Sequence, residues 1–269
     1  MLPVTPEQLK RAAHDVHVFW DEAQSNPALL RFLAPFGRPE LGRLSRAFER
    51  ATSVEEITTE SHPAFGTWLA ALLAREHRDV PPMRVKGLGE PQWDSRLLVP
   101  SMEFTAPMML STSVADPAAN DTTGRSRITS LIVAGSVKAP AVVVTGASLV
   151  IAGDLDTEVL IADGCVLIGG TVRAKVVVNP AEHIGRDSTL RAVGWQVGQS
   201  VECTVFDSPR FALTCPVKAE VVLRAPNLMP TPEGIDRAGQ LLAAGLLAPP
   251  TLSRSALLSR VRRGESVLR

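Results

Sequence analysis

Between residues 128 and 224 the chain repeats nearly the same phrase five times, and this limits the fold more than any other feature. SLIVAGSVKA begins at Ser130, SLVIAGDLDT at Ser148 and CVLIGGTVRA at Cys165. Two looser copies follow, GQSVECTVF from Gly198 and TCPVKAEVVL from Thr214. The first apolar residue of the shared core is Val137, Leu155, Val172, Val201 and Val217, giving steps of 18, 17, 29 and 16 residues, and these five markers are expected to be buried and stacked. Segments this short, alternating and β-branched, cannot bury an apolar face alone, so they must stack on one another. The expectation is an α+β protein built on a parallel β-helix, a β-solenoid of about five coils.

Stacked coils place equivalent residues roughly 4.8 Å apart, which gives the repeat an internal test. The position after the marker reads Lys138, Asp156, Arg173, Glu202, Lys218, so its sign alternates throughout. Glu158 should lie beside Lys175. Opposite charges on neighbouring strands contribute about 0.2–1 kcal/mol each, and like charges destabilise. The next column is small (Ala139, Thr157, Ala174, Cys203, Ala219) and is expected to point inward, with Val159, Val176, Val205 and Val221 as a further inward layer. The first coil is open to a one-residue shift at Pro140-Ala141.

Helical patterns flank the repeat. Residues 1–78 read as a helical domain: Thr5-Pro6-Glu7-Gln8 is a capping box with proline at the first helical position, and Leu9, Ala12, Val16, Phe19 and Trp20 follow at helical spacing. Further helices are expected near 27–32, 39–51 and 63–77. Residues 79–127 read as a linker and an extended lead-in, with 97–110 as the lead-in and 114–126 as a loop. Residues 128–224 form the solenoid, and 225–269 a C-terminal helical cap with helices near 232–247 and 253–263. An uncovered solenoid end is a bare sheet edge, which proteins commonly cap.

Composition excludes several functions. Twenty-eight Lys and Arg balance twenty-eight Asp and Glu, which argues against a dedicated nucleic-acid binder. The three cysteines Cys165, Cys203 and Cys215 lack a C-x-x-C spacing and read as free thiols in a reducing compartment. No basic and apolar leader opens the chain and no 18-residue apolar run occurs, so neither a signal peptide nor a membrane span is expected and the cytoplasm is the default.

Candidate chemistry is thin. His14 and His17 sit three apart near Asp15 and Glu22, yet no second cluster completes a metal site. In Glu60-Ser61-His62 a hydroxyl adjoins an imidazole, but that stretch reads better as a helix entry. Asp154, Asp156 and Glu158 alternate on one strand, and the facing Arg173 and Lys175 favour salt pairing over calcium. No phosphate-cradling glycine motif is present. Arg254, Arg260, Arg262, Arg263 and Arg269 cluster around a single acid, Glu265, and read either as a solvated helix end or as a contact for an acidic partner. No catalytic residue, metal or cofactor is assigned.

The 29-residue step holds one coil plus twelve residues, which places 179–190 on a projecting loop. His183, Arg186 and Asp187 lie on it, and Trp195 follows where the coil resumes. These four form the candidate partner-binding surface, since loops on a rigid scaffold are favoured for recognition. The other reading is a tolerated insertion with Trp195 packed inward.

LVIAGDLDTE from Leu149 and LIGGTVRAK from Leu167 resemble coils of the bactofilins, the polymer-forming cytoskeletal proteins. The flanking helices and the tail GESVLR from Gly264 look closer still to a helix-flanked set of bacterial solenoid proteins without an assigned function. The resemblance implies a right-handed parallel β-helix and a non-enzymatic role in binding another protein, an immunity-type neutraliser of a bacterial toxin among the forms. A self-assembling bactofilin-like scaffold is the alternative. A hexapeptide-type acyltransferase is the second, although its six-residue rhythm is missing here.

Overall fold

A computed structural model describes residues 4–33, 40–53, 56–57, 63–86, 95–98, 100–111, 130–145, 147–179, 195–209, 215–225, 228–249 and 251–269. The fold is α+β, with mostly parallel sheets between two helical layers. Among the described residues four named helices come first: α1 (Pro6–Ser25), α2 (Pro27–Leu33), α3 (Leu41–Arg50) and α4 (Pro63–Glu76). The capping box forms, Gln8 N–H donating to Thr5 Oγ1 at 3.3 Å and Thr5 N–H to Gln8 Oε1 at 2.9 Å. Leu9, Ala12, Val16 and Phe19 are buried, while Trp20 stays half-buried.

The strands are β1 (Met83–Val85), β2 (Ser95–Leu98), β3 (Met102–Phe104), β4 (Met108–Ser111), β5 (Ser130–Val133), β6 (Val137–Thr145), β7 (Ser148–Ile151), β8 (Leu155–Ala162), β9 (Cys165–Ile168), β10 (Val172–Val178), β11 (Trp195–Val197), β12 (Val201–Asp207) and β13 (Val217–Arg224). They enter two sheets in turn, except that β3 and β4, and β12 and β13, follow one another within the same sheet. One, of eight strands, runs β1-β3-β6-β8-β10-β12-β13 with β4 also on β6; the other runs β11-β9-β7-β5-β2. Every pairing in these two sheets is parallel.

The register follows the repeat. Val137 pairs with Leu155, Leu155 with Val172, Val172 with Val201 and Val201 with Val217. Ala141 pairs with Val159, so the first copy runs without a shift at Pro140. A hydrogen-bond rung recurs with it: the N–H groups of Met83, Met102, Val137, Leu155, Val172 and Val201 each donate to the carbonyl just before the next marker, at 2.8–3.0 Å.

The lead-in is itself a repeat. Ser95 pairs with Ser130 and Met102 with Val137, and β1 adds a partial strand beyond it. Thirty-five residues separate Met102 from Val137, which hides the period in the sequence.

Three apolar clusters hold the layers together. The first lies between the sheets and takes Val137, Ala139, Val142 and Val144 from β6, with their equivalents, and Leu131, Leu149 and Val166 from the other sheet. The second joins α1–α4 to Ile132, Val150, Cys165 and Leu167, on the other side of the five-stranded sheet. The third joins Ala141, Val143, Val159, Ile161, Val176, Val205 and Val221 to the C-terminal segment. That segment comprises α5 (Pro232–Leu241), the antiparallel pair β14 (Leu247–Ala248) and β15 (Thr251–Leu252), and α6 (Arg254–Arg263).

One expectation is corrected here. Val159, Val176, Val205 and Val221 are buried, yet outside the central core: the strand turns a corner after Ala139 and its equivalents, and the next column faces α5 and α6 instead. The C-terminal segment packs on this face across successive repeats, with α5 against β13. Each Val or Leu so covered contributes about 1.5–3 kcal/mol, which explains why the outer faces need helices at all.

Three tethers pin the C-terminal layer. The Asp207 carboxylate, fully buried, accepts from Arg224 Nε at 2.5 Å and Nη2 at 3.0 Å, and from Leu252 N–H at 3.3 Å. Arg254 pairs with Asp163 at 3.1 Å and donates to Thr145 Oγ1 at 3.1 Å. Arg237 of α5 donates to Glu220 of β13.

Candidate interaction surface

One exposed column runs up the eight-stranded sheet. The register links Arg84 to Glu103, then Lys138, Asp156, Arg173, Glu202 and Lys218. The alternation read from the repeat therefore extends two members further down, to seven charges with a cation at each end. Lys218 Nζ donates to Glu202 Oε1 at 3.0 Å, and this bond, with the attraction of Lys218, holds the Glu202 carboxyl below the usual carboxylate range. Arg173 lies 3.0 Å from Asp154 and 3.6 Å from Asp156, and Lys175 bonds Glu158 at 2.8 Å. The strand acids thus face cations, and among the described residues no group of three or more His, Cys, Asp or Glu is placed to hold a metal.

A second column, not anticipated from the sequence, runs along the corner before the marker. Ser136 N–H donates to Ser101 Oγ at 2.9 Å, Asp154 N–H to Ser136 Oγ at 3.0 Å and Thr171 N–H to Asp154 Oδ1 at 2.8 Å. Each small polar side chain satisfies the amide of the repeat above it. The signal was available: Ser136, Asp154, Thr171 and Ser200 all precede a marker.

The sheets end differently. Beside β11, the last strand of the five-stranded sheet, α2 places the Arg31 guanidinium, which donates to Gly198 O through Nε at 2.9 Å and Nη2 at 2.5 Å. An arginine thus stands where another strand would donate. At β13 the eight-stranded sheet simply stops. Val137, Leu155, Val172 and Val201 are at most 1% exposed, whereas Val217 is 37% exposed, correcting the expectation that all five markers are buried. Val217 stacks in register but is the last of its column, since β13 pairs with no described strand beyond it. Its N–H is also the next in the rung series, and no described residue accepts it. The open stretch is short, since Arg237 on α5 closes on Glu220.

Trp195 is not at the surface. It is 2% exposed, pairs with Val166 on β9 and belongs to the central cluster, so it cannot anchor a partner. His183, Arg186 and Asp187 lie outside the described residues, as do Glu60, Ser61 and His62. His14 is exposed and bonds Asp15 at 3.0 Å. Of the C-terminal arginines, Arg254 serves the tether to Asp163, Arg260 and Arg263 pair with Glu265, and Arg269 donates to Leu242 O at 2.9 Å. Those four bind the chain to itself, which weakens their reading as a partner contact.

Burial pushes the Cys165 and Cys203 thiols up to about 12 and also raises Cys215, so all three stay protonated near neutral pH and are poor nucleophiles. Among the described residues no helix is long and apolar enough to cross a membrane. Comparison with protein-family models, curated proteins and solved structures finds no match to this chain.

Proposed function

We propose that residues 83–224 wind as a parallel β-helix and that this scaffold serves as a non-catalytic binder of another protein. Parallel strands entering two sheets in turn, a constant register and one shared interior support the helical winding. The contrast at the end of the stack carries the functional reading. Both outer sheet faces are covered by the chain's own helices and β11 is closed by Arg31, while Val217 and its amide are left open. An uncovered edge strand is a liability unless it is used. Neutralisation of a toxin, which the bactofilin-type resemblance implies, is one form such binding would take, and three free cysteines fit a reducing compartment.

The charge column speaks against the scaffold alternative in its head-to-tail form. Stacking the next copy in register on β13 would set its Arg84 beside Lys218, and like charges on adjacent strands destabilise. Affinity purification of the tagged protein from its native cell, with sedimentation of the pure protein, tests the proposal. A discrete small species that captures a stoichiometric protein partner is expected. Filaments in negative stain, with no partner captured, would replace the binder with the scaffold.

A further inference from the structure

Resting on the protein-binding reading, we infer that β13 receives one short extended strand of the partner, with an apolar residue over Val217 and an acidic residue over Lys218. Three features of Val217 and Lys218 specify this occupant. The rung series provides the backbone half. Six successive marker amides donate upward to the carbonyl before the next marker, and the seventh, on Val217, points to the same side with no described acceptor. A strand added there supplies the carbonyl, as in recognition by strand addition to a sheet edge.

The apolar half comes from Val217 itself, whose column is otherwise sealed. An apolar side chain laid over it completes a stack already made of Val, Leu and Met. The charge half comes from the ladder. Every internal step along it alternates in sign, and it stops on the cation Lys218, whose side chain is 69% exposed despite its bond to Glu202. An Asp or Glu opposite Lys218 continues the alternation, while a Lys or Arg there meets a like charge. The closure of Glu220 by Arg237 confines the site to Val217–Glu220, roughly 13 Å of strand. The occupant is therefore a short segment and not a whole sheet.

The chain supplies its own probe. In β12 the sequence QSVECTVF (residues 199–206) places Val201 beside Val217 and Glu202 beside Lys218 across the existing pairing. A fluorescein-labelled synthetic peptide of that sequence, carrying Cys203→Ala, is titrated against the full chain by anisotropy, with a Glu202→Lys peptide as control. The acidic peptide is expected to bind about tenfold more tightly than the lysine peptide. In the protein variant Lys218→Glu that order should invert, and Val217→Asp should abolish binding of both peptides, with circular dichroism showing each variant folded. No binding by either peptide overturns the inference, as does equal binding or an order that ignores the charge at 218. A concentration-dependent dimer broken by Lys218→Glu, on which the peptide does not compete, assigns the edge to a second copy and overturns it equally. A native partner captured alike by wild type, Lys218→Glu and Val217→Asp leaves protein binding standing and removes only the edge. Charge-ordered peptide binding with no native protein partner leaves the edge standing and removes the protein-binding reading.

Discussion

Trp195→Ala decides whether the segment after the 29-residue step presents a surface anchor or fills the core. The indole is 2% exposed, sits on β11 beside Val166 and is among the largest fully buried side chains. Truncating a buried tryptophan to alanine costs about 3–5 kcal/mol, since transfer energy is lost and a cavity remains. For a chain of this size each kcal/mol moves the melting temperature by about 2–4 °C, so a fall of roughly 10 °C is expected. A second variant sharpens the test. The indole Nε1 is buried with no hydrogen-bond partner among the described residues, and an unsatisfied buried donor costs about 1–3 kcal/mol. Trp195→Phe gives up some packing but also removes that orphan group, so its net cost should stay below about 1.5 kcal/mol. Urea denaturation of the three proteins, compared by midpoint at constant slope, reads both numbers. A loss under about 1 kcal/mol for Trp195→Ala refutes the interior placement and returns the residue to the surface.

Three further outcomes follow from the same packing. Asp207→Ala leaves Arg224 without its carboxylate and Leu252 N–H without an acceptor, so about 3 kcal/mol should be lost and limited proteolysis should first release the C-terminal layer. Gly153→Ala would set a methyl 2.9 Å from the Gly135 backbone in the repeat below, and the resulting overpacking should cost about 1–3 kcal/mol in the unfolding midpoint. Glu202 and Glu265 ionise below their ordinary value of 4.5 because Lys218 and Arg263 bond them. Their contribution is therefore complete above that value and is lost as pH falls through the lower folded one. Thermal midpoints should hold near neutrality and drop on acidification below about pH 4.5, less steeply in Glu202→Gln; an unchanged acid slope in that variant would contradict the pairing.

Much of this architecture was legible because a constant strand register makes one repeat a template for the next. The steps of 18, 17, 29 and 16 residues and the alternation from Lys138 to Lys218 are the observed register. Three things escaped the pattern for physical reasons. The repeat at β2–β4 carries Met102 and Met108 where β6 carries Val137 and Val142, and its long separation from β6 conceals the period. The Val159 column is as apolar as the interior, because α5 and α6 bury it from the other side, so hydrophobicity alone could not tell inside from under a helix. Val217 reads like its equivalents in sequence. Only its place at the end of the stack exposes it. The segment with His183, Arg186 and Asp187 interrupts the period of the sequence, whereas the open edge interrupts nothing and left no mark in it.

The ascending column offers the most direct test of the stacked register. Nitroxide labels at Lys218 paired with Lys138, Glu103 or Arg84 sit on exposed or half-exposed positions separated by four, five and six strand steps. Pulsed electron spin resonance should return mean distances near 19, 24 and 29 Å, rising by about 4.8 Å per step. Distances that fail to rise in that order, or that differ by much more than one strand spacing per step, would contradict the stacked repeat on which the whole account stands.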